Sequence, residues 1–217
     1  MNYDYAIHFI DKDAIKSIFE LGARDCKDSI TLQKRYNCPV YAFECNPDGL
    51  RLCHETLKGV NLPIELIEMA VNSYDGVTSF YPINAAKDSN IGASSLFHFK
   101  TDNSVQTSIT VPCCRLDTFI RDRGVRVPEL ICMDIQGGEL NAMKSMGEYI
   151  RDVRYVATEC SIEGAYEDSY TFKDMYTFMT GEGFELVGSP YNRRDVVRFL
   201  EGRTDGLIET DFIWERT

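Results

Sequence analysis

None of the apolar runs in this 217-residue chain approaches the ~18 residues that a membrane-spanning helix needs, so no membrane partner is expected. There is no Cys-x-x-Cys pair, and the vicinal Cys113-Cys114 cannot clamp zinc in the usual way, which removes the common zinc ribbons and dithiol redox motifs. The segment Met1-Asn2-Tyr3-Asp4-Tyr5 lacks both a basic region and an apolar core, so a secretory signal is not expected and the protein is placed in the cytoplasm. Cations are short as well. Twenty-three Lys and Arg stand against 34 Asp and Glu, a net charge of −11, which argues against a broad phosphate-backbone footprint and hence against a nucleic-acid partner. Neither an internal repeat nor a low-complexity linker divides the chain, so residues 1–217 are expected to form one domain with a full-sized core. The sequence leaves the oligomeric state open.

Eight cysteines are present, and without a signal segment they are expected to be free thiols. Cys132 and Cys160 lie in apolar, strand-like runs where cysteine behaves as a small hydrophobe.

The most informative stretch runs from Ile18 to Ser29. An apolar run ends in Glu20, turns at Gly22, and restarts as a polar, helical segment. A strand feeding a helix through a glycine turn begins the nucleotide site of doubly wound α/β proteins. A dinucleotide's pyrophosphate needs two further glycines and free N–H groups at the helix start. Those positions carry Arg24 or Asp25 and Lys27 or Asp28, and Glu20, Asp25 and Asp28 place negative charge where phosphate needs positive potential. S-adenosylmethionine (SAM), with a sulfonium and an amino group and no phosphate, suits such a turn better. The plainer alternative is a strand–turn–helix with a solvated acidic cap.

Strand and helix signals alternate along the chain. Strands are expected over 17–21, 39–43, 64–71, 129–135 and 153–160, with closing strands at 184–187 and 208–214. Helices are expected over 26–36, 47–57, 116–123, 139–150 and 170–181. Residues 77–81 and 108–112 have strand character and are expected to pair, leaving 84–106 as a long excursion that serves as a lid or acceptor-side loop. The continuous apolar run 129–135 suits a parallel strand covered on both faces. The fold class is therefore α/β, a doubly wound, mostly parallel sheet with helices on both faces and ligands at the carboxyl ends of the strands.

At those ends stand Glu20, Glu44, Asp134 and Glu159. Glu44 follows Glu20 by 24 residues, the spacing of an acid that grips a ribose diol. An adenosine-type ligand follows from that spacing, whereas a solvated strand end is the plainer reading. Asp134 directly follows an apolar run and is placed at the crevice, although capping of the helix near Gly138 would also explain it.

Six blocks then carry a family resemblance. They are Glu20-Leu21-Gly22-Ala23-Arg24, Phe43-Glu44-Cys45-Asn46-Pro47, Ala70-Val71-Asn72, Ser94-Ser95-Leu96, Arg115-Leu116-Asp117-Thr118-Phe119, and Met133-Asp134-Ile135-Gln136-Gly137-Gly138-Glu139. In this order they resemble the FkbM-type SAM-dependent methyltransferases, from about residue 17 to Asp211-Phe212-Ile213-Trp214. The resemblance implies a class I methyltransferase fold, a seven-stranded, Rossmann-like sheet whose last strand is antiparallel. It also implies methyl transfer to a hydroxyl oxygen of a small molecule, sugar or glycan. Two motifs depart from the family pattern. Cys26 stands where a second glycine is usual, and Cys132 and Gln136 stand where the strand-four motif usually has Lys and Glu. A relative that keeps the fold without the chemistry is therefore the alternative, and a nucleotide-dependent oxidoreductase of NAD type is a weaker one.

On the resemblance, Glu20, Gly22 and Ala23 are expected at the methionine portion of SAM, with Ser29 on the following helix placed among the cofactor-side residues. Glu44 takes the ribose. The adenine sits between Cys45-Asn46 and Met69-Ala70. Asp134 is placed at the reaction centre, to hold the SAM amino group, orient the acceptor or act as base. His98, the histidine of the long excursion, is a candidate base because its unperturbed pKa lies nearest neutrality; an exposed loop histidine is the plainer reading. His8 and His54 suggest no chemistry. Asp134 and Glu159 offer two oxygens to Mg²⁺, but hard cations want a fuller shell, so Mg²⁺ is possible and not expected. The basic segment Arg193-Arg194, Arg198 and Arg203 reads as a solvated helix face beside Asp195 and Glu201, or as a contact for an anionic acceptor or partner.

Overall fold

The computed structural model of the chain describes residues 3–6, 8–83, 91–100, 107–204 and 206–217. A short helix α1 (Tyr3–Ala6) precedes β1 (Ile18–Leu21), α2 (Lys27–Tyr36), β2 (Val40–Phe43), α3 (Pro47–Leu57) and β3 (Ile64–Ile67). Then come β4 (Ala70–Val71), β5 (Gly76–Phe80), β6 (Ile109–Cys114), α4 (Leu116–Arg123), β7 (Leu130–Met133), α5 (Glu139–Ser145) and β8 (Tyr155–Ser161). The helices α6 (Phe172–Gly181) and α7 (Arg193–Leu200) flank β9 (Phe184–Gly188), and β10 (Glu209–Arg216) is the last strand.

Seven strands form the main sheet in the order β3-β2-β1-β7-β8-β10-β9. The first five are parallel, and β10 runs antiparallel to both of its neighbours. Every residue of β1 and of β7 is buried, as central parallel strands covered on both faces require. One apolar layer is centred on Phe19, Phe43 and Phe119, whose rings meet pairwise at 5.0–5.8 Å. Farther along it, Phe172 stacks on Phe212 at 3.9 Å, and Trp214 is fully buried beside Tyr176. The opposite layer holds Ile18, Leu32, Tyr36, Val40 and Leu130. All eight cysteines are free, seven of them buried. No helix among the described residues is long and apolar enough to cross a membrane.

The alternation of strands and helices and the antiparallel last strand match the expectation. Two spans differ. Residues 64–71 are not one strand: β3 pairs with β2, while β4 leaves the main sheet and pairs with β6 in a three-stranded sheet of order β4-β6-β5. Exposed Glu68 interrupts the apolar run there, and the Met69 N–H turns back to the Ile67 carbonyl at 2.9 Å. The helix expected over 139–150 is α-helical to Ser145 and continues as a 3-10 turn, Gly147–Asp152, because glycine supports an α-helix weakly. The pairing of 77–81 with 108–112 is present as antiparallel β5 and β6.

The strand sequence of the main sheet reverses between β1 and β7, and an open α/β sheet has its crevice at such a switch point.

Candidate active site

Beyond the carboxyl end of β1 the chain is pinned to both neighbours. The N–H groups of Gly22 and Ala23 donate to the Phe43 carbonyl at 2.9 and 3.0 Å, and the Asp134 N–H donates to the Leu21 carbonyl at 3.1 Å. On the next strand the Glu44 N–H donates to the Ile67 carbonyl at 3.0 Å. These bonds fix the residues that follow the strands around a cavity of about 330 Å³. Gly22, Ala23, Glu44, Cys45, Asn46, Met69, Ala70 and Asp134 all line it.

Gly22 is dictated twice. Its φ is +88°, and a β-carbon there would stand 2.2 Å from the Asp134 carbonyl oxygen. The turn continues through left-handed Arg24 (φ 53°) and Cys26 (φ 57°), so Cys26 adopts the conformation its missing glycine would supply. Left-handed backbone costs a residue with a β-carbon about 1–2 kcal/mol. The Cys26 side chain makes no capping bond to offset it, although the Asp25 carboxylate accepts the Lys27 N–H at 3.2 Å.

Glu44 is clamped by backbone. One carboxylate oxygen, Oε1, accepts from the Cys45 N–H at 2.8 Å and the Asn46 N–H at 2.7 Å, and Oε2 accepts from the Arg24 N–H at 2.7 Å. Burial pushes the carboxyl up, and the three N–H donors pull it back. An ionised carboxylate has about four acceptor sites, so one remains for a ligand hydroxyl. Asn46 caps α3 by accepting from the Asp48 N–H at 3.1 Å, with Pro47 in the first helical turn. Its amide donates to Ser94 Oγ at 3.1 Å.

The far end of the cavity is acidic. Asp134 and Glu159 share the Gln136 amide, whose Nε2 lies 2.7 Å from Asp134 Oδ1 and 3.1 Å from Glu159 Oε2. Glu209 lines the same end. Burial, reinforced by Asp134, Glu209 and Asp211, pushes Glu159 up to about 8, and burial and Asp134 likewise raise Glu209. The following helix starts at Gly138 without a side-chain cap. Its first residue, Glu139, instead ties down the preceding turn, accepting the N–H groups of Ile135 at 3.0 Å and Gly137 at 3.2 Å, and burial pushes its carboxyl up to about 7.

A pH dependence follows. Glu139 and Glu159 titrate in the folded protein well above the ordinary value of 4.5, so between those pH values the folded state binds more protons than the unfolded state. Their contribution to stability is complete below about pH 4.5 and drains away as pH rises through 7–8. The thermal midpoint of the ligand-free protein is expected to fall between pH 6 and pH 8.5, and Glu159→Gln should flatten that fall. A midpoint that climbs over the same range would contradict this assignment of charge.

Three residues singled out in the sequence lie elsewhere. Glu20 and Ser29 are buried between β1 and α2, where Ser29 Oγ donates to Glu20 Oε2, and neither lines the cavity. Burial drives the Glu20 carboxyl well above its ordinary range. His98 is also outside the cavity wall. Its ring packs edge-on against Tyr81 at 5.5 Å, with Nδ1 3.8 Å from Glu167. Of the 84–106 excursion, Ile91–Leu96 contributes lining residues, Ser94 Oγ accepts the Ile83 N–H at 2.9 Å, and 84–90 and 101–106, with Lys87 and Asn90, lie outside the described residues. Arg193, Arg194 and Arg198 of the basic segment lie on α7, where Arg198 sits 3.9 Å from Asp195, while Arg203 follows the helix and pairs with Glu201.

Sequence reasoning missed Glu209, Tyr166 and the bridging role of Gln136. The signal for Glu209 was available: an antiparallel last strand starts at the level where its parallel neighbour ends, and Glu209 is indeed paired with Ser161.

Among the described residues lining the cavity, Arg24 is the single cation, against Asp28, Glu44, Asp134, Glu159 and Glu209. That set repels a pyrophosphate and favours a ligand bearing positive charge. The volume falls within the range of small-molecule sites. Among the described residues no group of three or more His, Cys, Asp or Glu is arranged to hold a metal ion.

Comparison with known proteins agrees with this geometry. The model of the methyltransferase FkbM domain matches residues 21–186. The chain is 27% identical over 179 residues to the 2-O-methyltransferase NoeI of Sinorhizobium fredii (strain NBRC 101917 / NGR234), covering 78% of this chain and 72% of that protein. In fold it is similar to fibrillarin of Aeropyrum pernix, solved with natively bound S-adenosyl-L-methionine, at a TM-score of 0.55 and 11% identity over 98% of this chain and 73% of that one. It is also similar to the StiE O-MT (residues 961–1257), at a TM-score of 0.51 and 10% identity over 99% of this chain and 72% of that one.

Proposed function

The chain belongs to the methyltransferase FkbM domain family, and from that premise we propose that it moves a methyl group from SAM to a hydroxyl oxygen of a small molecule or glycan in the cavity between β1, β2 and β7. The observation that carries this reading is the cavity wall itself, where Asp28, Glu44, Asp134, Glu159 and Glu209 surround a turn that carries Arg24, Asp25, Lys27 and Asp28 in place of phosphate-binding glycines. The relative NoeI, a 2-O-methyltransferase, supports a hydroxyl acceptor.

The residues present fit the cofactor. Glu44 has one acceptor site left for a ribose hydroxyl. Met69, Ala70, Phe80 and Leu96 supply an apolar slot beside Cys45 and Asn46 for the adenine. Gly22 and Ala23 form a floor without bulk, and Asp134, beside Gly22 at the end of β7, would take an amino group. Bound there, SAM supplies an electrophilic methyl group on a sulfonium. The chain's own part is alignment and proton removal. Asp134 and Glu159 face the cavity together, and Glu159, pushed up to about 8, is a stronger base than an ordinary carboxylate. The proton that the acceptor hydroxyl loses on taking the methyl group, the sulfur–methyl bond breaking to leave the neutral thioether of S-adenosylhomocysteine, would pass to Glu159 and then to water. The Ile91–Leu96 segment lines the cavity and would cover the bound ligand.

Calorimetry with S-adenosylhomocysteine (SAH) is expected to show binding in the micromolar range, with no response to NAD(H). A methyl-donor assay over a panel of sugars and hydroxylated metabolites is expected to yield an O-methylated product. Absence of SAH binding overturns the proposal. Binding without turnover on any acceptor would favour a module that keeps the fold and has lost the chemistry.

A further inference from the structure

Gln136 has no place in the chemistry above, yet it is the most connected side chain at the acidic end. Its backbone is left-handed, at φ 54°, and its carbonyl accepts Ser95 Oγ at 2.7 Å. Its Nε2 reaches Asp134 and Glu159, while its Oε1 accepts from the Tyr166 hydroxyl at 2.7 Å. The amide's orientation is forced. Two carboxylates on one side demand the two-donor nitrogen, and that leaves the oxygen for a hydroxyl that can donate. Tyr166 is itself placed by its ring, 5.2 Å from that of Phe99, and its single hydroxyl hydrogen goes to Gln136 Oε1 at 2.7 Å in preference to the Ala93 carbonyl at 3.0 Å.

Building on the function proposed above, we propose that Gln136 is a positioning residue. Its amide, locked by Tyr166, bridges Asp134 and Glu159 so that two neighbouring strand ends present their carboxylates to one acceptor hydroxyl. Without the bridge the two acids would repel across a buried gap. A glutamate at this position would place a third acid between them and remove the donor. The groups facing the bridge are Asp134 on the β7 side, Glu159 on β8, Glu209 and Asp211 on β10, Tyr166 after β8 and Glu139 on α5. Among these groups, the Gln136 amide is the one that directs a hydrogen to each member of the pair.

The proposal is tested on the ligand-free protein by carbon-13 NMR titration of the Glu side-chain carboxyls, with the Glu159 signal assigned through Glu159→Gln. Gln136→Met keeps the side chain's length and removes its donors. The Glu159 midpoint is expected to rise by about one pH unit or more, the size of a lost hydrogen bond to a charged group. In Gln136→Glu the same signal should titrate in two coupled steps. A side chain that only fills space would leave the midpoint of Gln136→Met where it is in the wild type, and that result overturns the proposal. Should Gln136→Met fail to fold, Tyr166→Phe decides. It frees the amide to rotate, so a rise in the same direction supports the bridge and an unmoved midpoint overturns it. SAH calorimetry on the wild type separates the two readings, because a protein that ignores SAH but shows the expected shift retains the bridge and loses only the methyltransferase assignment.

Discussion

Alanine at position 22 is expected to lower the stability of the protein by about 3 kcal/mol or more and to weaken SAH binding by about 100-fold or more. Two costs add. A β-carbon at φ +88° is disfavoured by about 1–2 kcal/mol. At 2.2 Å from the Asp134 carbonyl oxygen it also forces β1 and β7 apart where the Asp134 N–H meets the Leu21 carbonyl. For a domain of this size the thermal midpoint should drop by about 6–12 °C. Gly59→Ala separates the two contributions, since Gly59 has φ +77° with nothing within 4 Å of the added carbon. That control should show the backbone cost alone and leave SAH affinity unchanged. Equal losses in the two variants would show that the contact with Asp134 does not matter.

Glu44 is expected to tolerate not even its amide. In most strand-end acids glutamine is a mild change, because one oxygen is idle. Here Oε1 and Oε2 both accept backbone N–H groups, so either orientation of a glutamine sets an NH₂ against an N–H. Leaving a buried donor unmet costs about 1–3 kcal/mol. Glu44→Gln should therefore lose stability in that range and lose SAH affinity by about tenfold or more, and Glu44→Ala should lose more affinity because nothing remains to hold a hydroxyl. The pH dependence has a definite sign. Burial raises the Glu44 carboxyl, so acidification protonates an acceptor the site depends on, and SAH should bind more weakly at pH 5 than at pH 8. Unchanged affinity in Glu44→Gln would mean that the ribose is held elsewhere.

The sheet was legible because its signals are local. Continuous apolar runs such as Leu130–Met133 need cover on both faces, and the glycine turn after Glu20 and the Pro47 helix start mark where strands hand over to helices. Residues 64–71 were misread as one strand because periodicity measures burial and does not identify the partner; only Glu68 marked the break. The cavity lining was legible where residues stand on strand ends, as at Glu44 and Asp134. It was not legible where two elements far apart in sequence converge. Glu20 and Ser29 look like a cofactor pair in sequence, but pleating turns Glu20 toward α2 and into a bond with Ser29. Gln136 looked like a lost charge. In three dimensions it answers Glu159, 23 residues later, and Tyr166, 30 residues later.

The interior place of β10 has a consequence for how the molecule is made. β9 joins the sheet only through β10, so a strand synthesised earlier waits for one synthesised later before it has anything to pair with. Until that antiparallel strand arrives, the edge of β8 stays open and the pocket for Trp214 stays unfilled. Folding of this half is therefore governed by long-range closure, and its exposed β8 edge is where a nascent chain is most exposed to wrong partners.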